Sequence, residues 1–151
     1  MSPIKSRTKP RSRSKQSSKA SRAEVFARLV EKAQEGIYIG AISTTTTTVA
    51  VNSHLKVMFG YTTSTPLRNV RPFEPERFVN PEARDSFLEE LKRNGMVTDY
   101  LLRLRRVDAT PMWVEVTAQA ELTKTSMSLR IEALIRNVTE RKKLEDQTRE
   151  E

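Results

Sequence analysis

His54 is the only histidine in the sequence, and it stands in the run Asn52-Ser53-His54-Leu55. A lone histidine excludes an acid–base pair of histidines and a multi-histidine metal site, so no metal centre is expected. Its most demanding remaining role would be to ligate a haem iron, which needs the ring on the interior side of a helix. His54 falls early in a short helix beside Asn52, a surface or edge position, so haem is not expected either. Cysteine is absent, which removes disulfides, thiolate metal sites and cysteine nucleophiles. No glycine-rich phosphate loop occurs among the four glycines. Asn137-Val138-Thr139 has the form of a glycosylation acceptor, but no apolar leader precedes it, and Thr139 reads better as a helix N-cap. With no nucleophile and base left to pair, the expectation is a protein that is not an enzyme.

Charge is distributed in two blocks. Residues 1–22 hold eight cations, from Lys5 to Arg22, and no acid; the other 19 basic residues balance the 19 acidic ones. The formal charge of +8 therefore belongs to the tail. Ser, Lys and Arg with Pro3 and Pro10 cannot bury enough apolar surface to offset ordering entropy, so residues 1–21 are expected to be a disordered basic tail. Three readings of it stand open: an electrostatic arm for nucleic acid or an anionic surface, a solubilising extension, and a transit peptide. No apolar run reaches the roughly 18–20 residues of a membrane span, which predicts a cytoplasmic protein without a transmembrane segment.

A chain of 151 residues has room for one ordinary domain. Ser21 and Glu24 form an S-x-x-E capping box, and Val25, Phe26, Leu29, Val30 and Ala33 make one apolar stripe of a helix over about 22–34, closed by Gly36. Strands follow at 36–42 and 48–51, joined across a threonine run without turn residues and hence expected to form a wide, mobile loop, unless some threonines extend the strands. Asn52 caps a short helix ending at Gly60, and three prolines in 62–78 predict turns. Asn80 and Pro81 start a helix whose buried face is Ala83, Phe87, Leu88 and Leu91. Alternation of apolar and polar residues from Tyr100 to Arg136 gives three antiparallel strands. Trp113 and Leu134 are apolar members of the wetter face, and the amphipathic helix of 22–34 is the candidate to cover it. The charged segment 139–151 reads as the start of an exit helix.

Four segments in order resemble the PAS family of sensory domains. EGIYIGAI resembles its first strand, VNSHLKVMFGY its second strand and first short helix, RLRRVDATPMWVEV its strand-turn-strand with W-V, and RNVTERKKLE its D-I-T-E-R-K exit motif. The resemblance covers about residues 23–146. It implies an α+β PAS fold over 22–138, a five-stranded antiparallel sheet flanked by short helices, of the kind found in bacterial sensor kinases and cyclases. It also implies a signal-transduction module binding a small ligand, dimerising, or both. Departures stand at three places: Asp108-Ala109 for Asp-Gly, threonines at 44–48 for a turn with Asp and Gly, and Asn137 for the acid of the exit motif. Each missing glycine costs roughly 1 kcal/mol where the turn requires φ > 0.

A ligand would lie between the inner sheet face and the short helices. Its candidate lining is Ile39, Val51, Asn52, Leu55 and Phe59 from the first half, and Phe87, Leu102, Leu104, Val114 and Val116 from the second; each is equally explained as core. Asn137, Val138, Thr139, Glu140 and Arg141 form the signal-exit motif. Val25, Phe26, Leu29, Val30, Trp113 and Leu134 are candidates for a homodimer or partner-protein interface. The flavin-adduct branch of the family needs a reactive cysteine and is excluded, and the ligand's identity stays unknown. Neither the phosphoacceptor and ATP sites of a kinase nor a cyclase loop is present. A ligand-free dimerisation module and a nucleic-acid-associated protein acting through residues 1–22 remain as alternatives.

Overall fold

The computed structural model describes residues 34–125 and 127–150, with Val25 besides. The chain divides into two units, Met1–Gln34 and Glu35–Glu151. Of the first, Val25 is helical and half exposed, and Gln34 takes a left-handed φ of 54°. The rest of the helix expected over 22–34, with Ser21, Glu24, Phe26, Leu29 and Val30, lies outside the described residues, as does the basic tail. Gly36 does not close that helix. It opens β1 (Gly36–Ile42), and the left-handed residue is Gln34.

β2 (Thr46–Val51) returns antiparallel to β1. The connection is three residues, Ser43–Thr45, and none of them has a positive φ, so the wide loop is replaced by a tight turn that needs no glycine. Threonine's β-branched side chain favours extended backbone, which is why Thr46 and Thr47 join the strand. β2 carries one extra residue, Val49, opposite the Ile39/Gly40 step, a bulge.

Asn52 locks the next junction. Its Oδ1 accepts from Leu55 N at 3.0 Å, capping α1 (Ser53–Phe59), and from Ile37 N at 2.9 Å, while its Nδ2 donates to the Glu35 carbonyl at 2.9 Å. One side chain thus ties a helix start to the first strand. Gly60 ends α1 with φ 84°, the left-handed cap that a side chain resists. Two single 3₁₀ turns, Leu67–Asn69 and Pro75–Arg77, occupy the proline-rich stretch. α2 (Pro81–Asn94) starts as expected, with Asn80 accepting from Glu82 N, and buries Phe87, Leu88 and Leu91.

β3 (Met96–Arg105), β4 (Pro111–Thr123) and β5 (Ser128–Asn137) form the antiparallel meander, and α3 (Thr139–Glu150) leaves its end. The sheet order is β2-β1-β5-β4-β3, with β1 antiparallel to β5 at its centre. This is a five-stranded antiparallel sheet with helices, an α+β fold. The core lies on one sheet face under α1, α2 and the 3₁₀ segment, and includes Leu55, Phe59, Phe73, Phe87, Leu104, Val114, Val116 and Ile135, all without exposed surface. Among the described residues no helix is long and apolar enough to cross a membrane.

Candidate functional site

β4 is the element on which the site turns. Its residues alternate between faces: Met112, Val114, Val116 and Ala118 are buried, while Trp113, Glu115 and Thr117 between them are half-buried on the other face. The inner set floors the interior. Of the outer set, Trp113 and Glu115 meet the exit helix, and Thr117 bonds to Asp99 of β3.

Within the interior, Leu55, Phe59, Phe87, Leu102, Leu104, Val114 and Val116 come together as expected, packed in one cluster with Val51 at its margin. Ile39 does not join them. Tyr38 faces the core and is fully buried, so its neighbour Ile39 turns to the opposite face, where it lines a surface groove with Val49 and Arg130. Asn52 is committed to the backbone junction described above. The residues that fill the centre, Tyr38 and Phe73, were not among the sequence candidates. Tyr38 meets Phe73 edge to face at 5.2 Å, Phe73 stacks on Phe87 at 5.4 Å, and Phe87 meets Tyr100 at 5.3 Å, all at separations that favour aromatic pairs. These four rings form a column across the interior. Burial raises the pKa of the Tyr38 hydroxyl above its usual value, against an opposing hydrogen bond with Thr48. The hydroxyl also lies against Gly40: a Cβ there would run into it and into the Thr47 carbonyl.

On the outer face the exit helix is held by several ties at once. Val138 N donates to the Trp113 carbonyl at 2.8 Å, and Trp113 N donates to Thr139 Oγ1 at 3.0 Å. Arg141 donates to the Glu115 carboxylate at 2.7 Å. Lys142 Nζ and Arg103 Cζ both lie over the Trp113 ring, 5.5 and 5.2 Å from its centroid, within cation–π range. The hydrogen bond from Arg141 holds the Glu115 carboxyl below the usual glutamate range and raises the guanidinium in return. Leu134 is half-buried in a small groove with Glu115 and Arg136, and Arg136 reaches Glu35 at 3.5 Å and Asp99 at 3.8 Å. Glu115 was missed by sequence reasoning, although its place two residues after Trp113 puts it on the same strand face. His54 is half-buried on α1 and outside the core cluster, and among the described residues no cluster of metal-ligating side chains occurs.

Comparison with known proteins yields no matching family profile and no matching curated protein. Solved structures do match. An RNA-binding light-oxygen-voltage receptor superposes with a TM-score of 0.62 at 19% identity, over 85% of this chain and 36% of that one. A sensory box histidine kinase/response regulator from Burkholderia thailandensis gives 0.57 at 23%, over 82% and 92%. A PAS domain from Colwellia psychrerythraea gives 0.56 at 12%, over 78% and 98%. The chain has the PAS fold.

Two of the three departures from the PAS pattern have structural consequences. Ala109 occupies the turn between β3 and β4 with φ 72°, so the missing glycine there is a real strain. Asp108 Oδ1 accepts from Thr110 N at 3.0 Å and stabilises that turn, and bonding to Thr110 keeps its carboxyl below the usual range. At the exit motif Asn137 Oδ1 accepts from both the amide and the hydroxyl of Thr139. The amide therefore keeps the acceptor that an acid would offer and drops only the charge. The first helical carbonyl is that of Val138, which accepts from Lys142 N, so Thr139 sits one place inside the helix and not at its cap.

Proposed function

We propose that this PAS fold is a sensory or regulatory module in signal transduction, with its input in the interior between sheet and short helices and its output in α3. The observation that carries the reading is the alternation along β4. Val114 and Val116 touch the interior, Trp113 and Glu115 hold the exit helix, and one peptide bond separates each pair. A displacement of the floor is then a displacement of the clasp, because strand residues cannot move independently of their neighbours. Structural neighbours that are a sensory box kinase and a light-oxygen-voltage receptor support the sensory part. The module carries no catalytic step of its own in this reading.

Trp113 is the sole tryptophan and reports the clasp directly. Val114→Ala and Val116→Ala are expected to change its emission and to speed amide exchange in α3. A Leu55→Ala variant of matched stability, whose cavity lies under α1 against β1, is expected to do neither. Equal exchange in all three would remove the reading.

A second reading is favoured by the filled interior: a ligand-free module acting by association with a second copy or a signalling partner, through the outer face around Trp113 and Leu134. Sedimentation of Phe26→Asp and Leu134→Asp variants separates the two, because association that survives both has another surface.

A further inference from the structure

At the end of β5 opposite the exit helix, Ile42, Leu129 and Leu122 stand side by side on β1, β5 and β4. Ile42 and Leu129 are buried, but Leu122 is 42% exposed, and Met127 in the nearby turn is 69% exposed. Ile42, Leu129 and Leu88 of α2 floor a groove of about 550 Å³, with Thr44 and Met127 along it from the two hairpin turns. Its other rim is the flank of α2, where Asp85, Glu89 and Lys92 are all exposed. These three fall at i, i+4 and i+7 and form one stripe, because seven residues are within about 20° of two helical turns. Helical ion pairs close elsewhere in the chain: Lys143 reaches Glu140 at 3.7 Å across three residues, and Lys142 reaches Asp146 at 3.9 Å across four. Glu89 and Lys92 have the same three-residue spacing and do not pair. Among the described residues none of the three stripe side chains has an ion-pair or hydrogen-bond partner, so an apolar groove lies beside three charges that meet nothing.

We infer that this stripe and groove seat a second copy of the chain, with the two α2 helices antiparallel about a two-fold axis. The order of the charges selects the partner. Acid, acid, base along a helix is complementary to its own reverse, so Lys92 of each copy meets the Asp85 and Glu89 carboxylates of the other, and one symmetric contact makes the same pairs twice. A parallel arrangement would set like charge against like. Met127 and Leu122, beside the groove, lose exposed apolar surface in the same contact, which is the usual role of apolar side chains clustered at a polar rim. The surface is distinct from the outer sheet face around Trp113 and Leu134, and it does not depend on what the interior senses.

One helix and two turns per copy make a small contact, of the transient class below roughly 1,200 Å² in total. The test is therefore sedimentation velocity of the full chain from roughly 1 μM to 1 mM, at about 0.15 M salt, where the charge of residues 1–22 is screened. The unmodified chain is expected to associate in the upper part of that range. A double variant, Asp85→Lys with Glu89→Lys, carries three cations on the stripe, and Lys92→Glu carries three acids. Each alone is expected to stay monomeric, because like charges then face each other across the axis. Their one-to-one mixture is expected to associate again, and more tightly than the unmodified chain, since every facing pair is then opposite in sign. Met127→Asp reads the same contact from the hairpin side and is expected to be monomeric; it replaces any α2 variant that does not fold. A mixture that stays monomeric while the unmodified chain associates overturns the proposal. So does association that the α2 variants keep and Leu134→Asp loses, which places the second copy on the outer sheet face, and so does an unmodified chain that is monomeric throughout.

Discussion

At Ala109 the backbone adopts φ 72° with a side chain attached. The Cβ then crowds the carbonyl oxygen, at about 1–2 kcal/mol, part of which the lower chain entropy of alanine offsets. Ala109→Gly is therefore expected to raise stability by about 0.5–1 kcal/mol, seen as a higher urea midpoint with an unchanged slope. Gly40 gives the opposite case. Gly40→Ala pushes a methyl into the Tyr38 hydroxyl and the Thr47 carbonyl, and overpacking of that kind costs about 1–3 kcal/mol; the same titration reads it. Both positions show what a sequence discloses at this scale. The missing glycines at Ala109 and in the threonine run look equivalent in a list of residues, but only Ala109 takes a left-handed conformation. The facing of β1 is equally hidden, because GIYIGAI is apolar on both faces and either phase would satisfy a period of two. Tyr38 settles it by facing the core, so Ile39 had to leave the expected lining. Phe73 offered only a weak signal, one aromatic between two prolines, and prolines read as surface turns.

α3 spans twelve residues, a length that is marginal in water without tertiary support. Its support comes from β4, and one component is ionisable. The folded-state pKa of Glu115 is depressed, so its contribution is present when the carboxylate is charged. It is complete above the ordinary value of 4.5 and is lost as pH falls through the lower folded value. Arg141 stays protonated throughout. Its side chain is 52% exposed, so the pair is screened by water and weakens further in salt. Acidification is accordingly expected to lower the amide protection factors, which are corrected for the intrinsic slowing of exchange in acid, over residues 140–146 before the sheet unfolds. Glu115→Gln is expected to show the lower protection already at neutral pH and to lose its acid dependence. Protection in the Gln variant that still falls with acid would assign the effect to another group. The exit helix itself was legible from its composition change after Asn137, and so was its placement at the end of β5. The clasp was not, because Glu115 and Arg141 are 26 residues apart and nothing local links them.

Over the whole molecule, local pairings were readable and the one that closes the sheet was not. The hairpin of β1 with β2 and the meander of β3, β4 and β5 follow from alternation and turns. Their union, β1 running antiparallel to β5 from Gly36 against Ile135 to Ile42 against Leu129, has no sequence signal of its own and entered only through the resemblance to the PAS family. Charge is partitioned just as sharply. With the eight cations of residues 1–22 set aside, acids and bases balance at 19 each, so the net charge that sets long-range electrostatics belongs to residues 1–22. Replacing those eight cations by glutamine brings the formal charge from +8 to zero and touches no described contact. The unfolding free energy from a urea titration is expected to stay within about 0.5 kcal/mol of the original. Affinity for duplex DNA separates two readings of the tail. An arm that neutralises about six to eight phosphates gives a slope of log K against log salt near −5 to −7, and the glutamine protein loses both the affinity and the slope. A solubilising extension gives no measurable affinity in either protein. Binding that persists in the glutamine protein would move the nucleic-acid surface onto the folded unit, where the Arg103, Arg105 and Arg106 edge of β3 and its turn is the first place to substitute.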